Sequence, residues 1–126
     1  MTEPYLQFQQ LQQEIQQLYD SLEQIAGQRN QVAIAITAIT DIEKVENVDI
    51  MAPLINGIFF NAKIDKVTEF RVNVGNGVVV KKTPEETKTL MQEQIVEMDK
   101  ITKDLTMKLG EKLESIQKIE GKLQNV

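Results

Sequence analysis

Histidine and cysteine are both missing from this sequence of 126 residues. Their absence excludes the commonest acid–base side chain, a thiol nucleophile, any disulfide, and zinc sites built from thiolate and imidazole. Tryptophan is also missing, and there are only four Phe and two Tyr, so the hydrophobic content of 41% is mainly aliphatic. Such a composition suits the seam between helices better than a thick globular core. We predict no catalytic residues, no cofactor and no metal site.

The chain also lacks a long hydrophobic run and a concentration of positive charge. No basic flank or apolar core of a secretory signal is visible at the N-terminus, and the longest weakly polar run, residues 32–40, is too short to span a bilayer. The net charge of −5 is divided as −5 over residues 1–47, +2 over 48–82 and −2 over 83–126. Because nucleic acids require a concentrated basic surface, we expect neither a nucleic-acid nor a membrane partner, and we predict a cytoplasmic protein.

Residues 48–82 separate two segments with helical patterns, and they carry two turn signals. Asn56 and Gly57 lie between apolar runs, and so does the triplet Gly75, Asn76 and Gly77. Asn-Gly supplies the positive φ angles of a two-residue β-hairpin turn, and the triplet predicts a slightly longer loop. We therefore predict two β-hairpins, connected near residues 65–66.

The first flanking segment has the periodicity of a coiled-coil helix. Its narrow apolar stripe requires a partner helix, and the helix is predicted to end near Glu46 or Asn47. Arg29 interrupts the stripe and either fixes the register or extends out to solvent. Gly27 marks either flexibility or a close contact. The apolar positions, at alternating steps of three and four around Arg29, are Phe8, Leu11, Ile15, Leu18, Leu22, Ile25, Val32, Ile36 and Ile39.

The second flanking segment opens with a strong helix-start signal. Thr83 suits the N-cap, Pro84 the first helical position and Glu86 the reciprocal position of a capping box. The apolar positions that follow have a mean spacing of 3.5, the coiled-coil period, with an irregular order of threes and fours. They are Met91, Ile95, Met98, Ile101, Leu105, Leu109, Leu113, Ile116, Ile119, Leu123 and Val126.

Two coiled-coil helices of similar length satisfy each other by folding back antiparallel. The predicted fold class is α+β, mainly α: a single domain, 1–126, in which helices 1–47 and 83–126 form a hairpin with two β-hairpins, 48–82, at its base. The free helix ends then carry more large apolar residues than a solvated end needs. We call these residues the tip cluster: Tyr5, Leu6, Phe8, Leu11, Ile116, Ile119, Leu123 and Val126.

The β segment is predicted to mediate oligomerisation. Two hairpins do not make a self-sufficient sheet, and their outer strands present unpaired backbone groups to any neighbour. Phe70, Val72 and Val74 alternate with polar residues, as in a strand with one buried face. The predicted oligomerisation residues are Leu54, Ile58, Phe59, Phe60, Phe70, Val72, Val74, Val78 and Val80.

This layout resembles the prefoldin subunits, and specifically the alpha class, which carries two β-hairpins where the beta class carries one. Two segments carry the resemblance: 52–59 (APLINGIF), around the first turn, and 72–86 (VNVGNGVVVKKTPEE), from the second turn into the second helix. The likeness in architecture covers nearly the whole chain, and the motifs cover about its middle third.

The resemblance implies an ATP-independent chaperone subunit rather than an enzyme. In that family two alpha-type and four beta-type subunits join their hairpins into a hetero-hexamer, whose coiled-coil tips hold unfolded proteins and deliver them to a group II chaperonin. Carried onto this sequence, the client-binding residues are the tip cluster, whose members otherwise only close the coiled coil.

Other interpretations of these residues compete with this one. A structural subunit that forms filaments or scaffolds through its β-hairpins is the main alternative, since a heterologous interface that fails to close gives an open polymer. A phosphate-binding loop at Gly75, Asn76 and Gly77 is rejected, because a strand follows it where such a site requires a helix N-terminus.

Overall fold

The computed structural model describes residues 2–124, which form two long helices and four strands. This confirms the predicted order of one helix, two β-hairpins and a second helix. The chain divides into two compact units, one made of residues up to Gln31 and from Ile95 onward, the other of Val32–Gln94. The elements are α1 (Thr2–Glu43), β1 (Val48–Ile55), β2 (Ile58–Ile64), β3 (Phe70–Gly75), β4 (Val78–Lys82) and α2 (Pro84–Gln124).

Helix α1 follows its predicted heptad pattern and ends at Glu43, slightly before the predicted end at Glu46 or Asn47. The predicted apolar seam residues are all half-buried. Past Glu43, the amides of Lys44 and Val45 donate to carbonyls only three residues back, at 3.2 Å each. Asn47 then adopts a left-handed conformation with φ of 53°. A tightened last turn is a common way for a helix to end, and the left-handed residue Asn47 follows directly before β1.

Gly27 lies within the continuous helix α1. A Cβ built at this position would meet no atom within 4 Å. The close-contact interpretation of Gly27 is therefore wrong, and the residue lowers the helix propensity of α1 without serving a packing need.

Helix α2 begins with the predicted capping box. The Thr83 amide donates to Glu86 Oε1 at 2.9 Å, and the Glu86 amide donates to Thr83 Oγ1 at 3.1 Å. The buried Thr87 hydroxyl donates to the Thr83 carbonyl at 2.8 Å. These bonds satisfy donors that a helix start would otherwise leave free.

The seam of α2 is more regular than the apolar residues alone predict. Two residues placed in it by the sequence lie outside it: Ile101 is 42% exposed and Leu113 is 37% exposed. The half-buried residues at these points of the seam are Thr102 and Lys112. The prediction that Ile101 and Leu113 are seam residues is therefore wrong. A strict alternation of steps of four and three residues keeps one stripe of the helix facing its partner helix. The positions are Met91, Ile95, Met98, Thr102, Leu105, Leu109, Lys112, Ile116, Ile119 and Leu123.

Ion pairs between the helices show that α1 and α2 run antiparallel in the first unit. Arg29 Nε lies 2.7 Å from Asp99 Oδ1, and Lys112 Nζ lies 2.8 Å from Glu14 Oε2. The residue nearer the N-terminus of α1, Glu14, thus pairs with the residue farther along α2, Lys112. Arg29 is exposed and reaches Asp99 at the surface, which favours the interpretation that it extends out of the seam.

The four strands form two separate two-stranded antiparallel sheets, β1–β2 and β3–β4, within the described chain. Both turns are of two residues with positive φ at each: 51° and 76° at Asn56 and Gly57, 51° and 73° at Asn76 and Gly77. These are type I′ turns. The second loop is therefore shorter than predicted, because Gly75 belongs to β3.

Each hairpin also has a bulge just before its turn. The pairing register shifts between Pro53 and Ile55 in the first hairpin and between Asn73 and Gly75 in the second. Gly75 has a φ of 122°, and its amide donates to the Asn73 side chain at 2.9 Å. The extra residue in each strand is left unpaired, which locally increases the twist.

Across residues 2–124, neither helix contains an apolar stretch of the length that crossing a bilayer requires.

Candidate interaction surfaces

The first hairpin has one entirely apolar face. Cross-strand partners share a face, and faces alternate along each strand. The opposite face is mixed: Asp49 lies directly across from Lys63, and the apolar residues Met51 and Phe59 lie on the same face. Exposure on the apolar face increases toward the turn, where Ile58 and Phe60 are more than half exposed. We call this surface the first-hairpin face: Val48, Ile50, Ala52, Ile55, Ile58, Phe60, Ala62 and Ile64.

The second hairpin has a smaller apolar face. Phe70, Val72 and Val80 are half-buried on it, and Val78 near the turn is more than half exposed. The predicted alternation ends at Val74, because the bulge leaves that residue unpaired and exposed.

The opposite face of the second hairpin is basic. Arg71 lies directly across from Lys81 on this face. Like charges in that position destabilise a strand pair.

The predicted oligomerisation residues divide into two groups by exposure. Phe70, Val72 and Val80 are half-buried within the single chain. The others are more than half exposed: Leu54, Ile58, Phe59, Phe60, Val74 and Val78. Sequence reasoning missed Met51, Ile55 and Val79, which are equally exposed, although their position inside the same apolar runs was a usable signal. Exposed apolar surface of this kind, together with free strand edges, is typical of interaction surfaces.

The tip cluster also divides into two groups. Tyr5 and Leu6 lie outside the seam and are 55% and 59% exposed. Val126 lies outside the described residues. The remaining five are half-buried seam positions: Phe8, Leu11, Ile116, Ile119 and Leu123.

A groove beside the seam brings two tip residues together. Leu11 from α1 and Ile119 from α2 line a groove of about 250 Å³, together with Gln7, Gln10 and the ion pair Glu14–Lys112. Sequence reasoning missed this ion pair, because a lysine at a seam position breaks the apolar pattern. The groove therefore combines an apolar surface with amide and charged groups.

Ion pairing and capping set the protonation of several carboxyl groups. A hydrogen bond from Lys112 lowers the pKa of Glu14. Arg29 lowers the pKa of Asp99 in the same way, and Asp99 raises the pKa of Arg29. The Thr83 amide lowers the pKa of Glu86 by donating to its charged form. In each case the partner favours the ionised form of the carboxyl group.

Two long helices combined with two exposed β-hairpins define the class: a mainly helical hairpin with two β-hairpins. Residues 11–126 match the family described as prefoldin subunit. The chain belongs to the prefoldin family, whose members are non-enzymatic chaperone subunits that assemble into oligomers.

A filamentous PFD from Methanocaldococcus jannaschii, solved by cryo-EM, has a similar structure. The TM-score is 0.77 at 12% sequence identity, over 97% of this chain and 99% of that chain. At this identity the likeness concerns the fold. No curated protein matches the sequence.

Proposed function

We propose that this chain is an alpha-class prefoldin subunit, an ATP-independent holdase in a hetero-hexamer of two alpha-type and four beta-type subunits. Its coiled-coil tips bind unfolded proteins and deliver them to a group II chaperonin. The presence of two hairpins supports the alpha class. The observation that carries the proposal is the combination of exposed apolar hairpin faces with exposed apolar residues at the helix ends.

Assembly follows from the physics of the two hairpins. A two-stranded sheet is at best marginally stable alone in water. The first-hairpin face has no polar residue, and its outer half is exposed in the single chain. Pairing with hairpins of neighbouring subunits would cover this face and remove the free edges, as closure of a barrel does.

Client binding rests on the tip cluster. Tyr5 and Leu6 lie outside the seam, and both are more than half exposed. Contacts of this kind are weak individually, so several tips must engage one unfolded chain together.

The client-binding role is tested by Tyr5→Ser with Leu6→Ser in the assembled protein. The control is Ile34→Ser, since Ile34 and Leu6 are both 59% exposed and both lie on α1. We expect the tip variant to lose most of its suppression of aggregation when a chemically unfolded enzyme is diluted from urea. The control should protect as well as the unaltered protein. Equal protection by both variants would remove Tyr5 and Leu6 from the client site.

A structural role in filaments is the second candidate, and it is favoured by the likeness to a filamentous assembly. The native mass of the complex that a tagged copy isolates from its own cells separates the two. A closed particle with two copies of this chain and four of another small coiled-coil protein supports the hexamer. An open, polydisperse series of this chain alone would support the filament.

A further inference from the structure

Glutamine occupies every exposed position of α1 between residues 7 and 17. The intervening positions are less exposed and hold Phe8, Leu11, Glu14 and Ile15. We call the exposed set the glutamine face: Gln7, Gln9, Gln10, Gln12, Gln13, Gln16 and Gln17.

The chemistry of this face differs from that of an ordinary solvated helix surface, which is rich in charge of both signs. The nearby part of α2 is ordinary in this respect, with Lys108, Glu111, Glu114 and Lys118 at exposed positions. A glutamine amide carries no charge, yet it offers two donors and an acceptor. Such a surface is indifferent to the charge of whatever approaches it.

Few of these amides are engaged within the described chain. Gln10 donates to Glu14 at 3.2 Å and Gln16 donates to Asp20 at 3.0 Å. The other five side chains form no side-chain hydrogen bond in residues 2–124. The face therefore retains unused hydrogen-bonding capacity toward a partner.

Two grooves give the face its shape. One, of about 380 Å³, is lined by four amides alone, Gln9, Gln12, Gln13 and Gln16. The other is the 250 Å³ groove in which Gln7 and Gln10 lie beside Leu11 and Ile119. In the second groove, amide groups and tip-cluster residues thus share one surface.

We propose that the glutamine face binds the main chain of an unfolded client in extended form. Its amides hydrogen-bond the peptide N–H and C=O groups of the client, while the tip cluster contacts the client's apolar side chains. Main-chain groups are common to every sequence, so this recognition is independent of client sequence and charge. The inference rests on the proposed holdase function and assigns it a second kind of contact.

The test compares two triple variants of the assembled protein. Gln9, Gln12 and Gln13 are changed to Ala in the first, and Gln24, Gln28 and Gln31 in the matched control. All six side chains are exposed on α1, so both variants change helix propensity equally. The probe is a fluorescent 16-residue peptide of alternating Leu and Ser, together with a version that is N-methylated at alternate residues.

We expect the first variant to bind the unmodified peptide roughly tenfold more weakly, from three exposed hydrogen bonds at the low end of their net strength. The control variant should bind as the unaltered protein does. N-methylation should weaken binding to the unaltered protein and should have little further effect on the first variant, because the partner amides are already absent.

Other results would overturn the inference in distinguishable ways. Unchanged binding by the first variant, with binding lost in the Tyr5→Ser, Leu6→Ser variant, would leave the holdase function standing and remove the glutamine face from it. Unchanged binding by both would contradict the proposed client site itself. Equal effects of N-methylation on the first variant and the unaltered protein would exclude main-chain recognition. A changed oligomer mass in the first variant alone would assign the face to contacts between copies.

Discussion

Leu109 is the most buried hydrophobic residue in the described chain, at 8% exposure, and its replacement by Ala tests the seam of α2. The change removes about three carbon groups, which at about 0.8 kcal/mol each gives roughly 2.4 kcal/mol, and the cavity left behind raises the total to about 3 kcal/mol. Leu113→Ala is the matched control. Because Leu113 is 37% exposed, only about two-thirds of the transfer term applies and its site opens to water, so we expect about 1.5 kcal/mol.

The measurement is the free energy of unfolding in urea, followed by circular dichroism at a single protein concentration, since assembly makes apparent stability depend on concentration. The mass of each variant's complex is determined first, so that only equal assemblies are compared. A difference of about 1.5 kcal/mol between the variants supports a seam that includes Leu109 and excludes Leu113. Equal costs, or a larger cost at Leu113, would refute the regular four–three seam and support the irregular spacing of apolar positions that the sequence predicts for α2.

Two further predictions concern the helices. Gly27→Ala should raise the free energy of unfolding by about 1 kcal/mol, because α1 is continuous there and a Cβ meets nothing; a loss of stability in urea unfolding would reveal a contact at this site. Glu86→Gln should lower stability at neutral pH. Since Thr83 lowers the pKa of Glu86 in the folded state, its contribution is present above the ordinary carboxyl range and is lost as pH falls through the lowered pKa. The difference between the unaltered protein and the variant should therefore shrink in acid, and a pH-independent difference in urea unfolding would contradict a role for the charge.

Local signals in the sequence were sufficient for most of the fold. The turn at Asn56-Gly57 and the capping box at Thr83 depend on residues close together in the chain, and both are confirmed. The second turn is confirmed in position, but its loop is shorter than predicted, because Gly75 belongs to β3. The errors lie where a position is decided by a distant partner. Thr102 and Lys112 lie at seam positions because packing against α1 keeps one regular stripe of α2 facing the partner helix. A prediction from hydrophobicity alone instead assigns these two places to the neighbouring apolar residues Ile101 and Leu113.

For the candidate surfaces too, local features could be predicted and features that depend on distant residues could not. Apolar runs in the strands predicted an interaction surface, and many of their residues are exposed in the single chain. The bulge that leaves Val74 unpaired could not be predicted, because strand register depends on backbone pairing across the hairpin. The groove that combines Leu11 with Ile119 joins positions more than a hundred residues apart, and only the antiparallel pairing of the helices brings them together.

The half-burial of the seam residues at the tip bears directly on how a holdase of this kind works. A seam that buried Phe8 and Leu11 completely would leave little apolar surface for a client, whereas a fully open one would promote aggregation of the subunit itself. In the structure both residues keep part of their surface exposed, next to uncharged glutamines. On the proposed function, the seam side of each residue stabilises the helix pair and the exposed side contacts the client. Weak, replaceable contacts then follow from the geometry of the seam, and strength must come from the number of tips that act together.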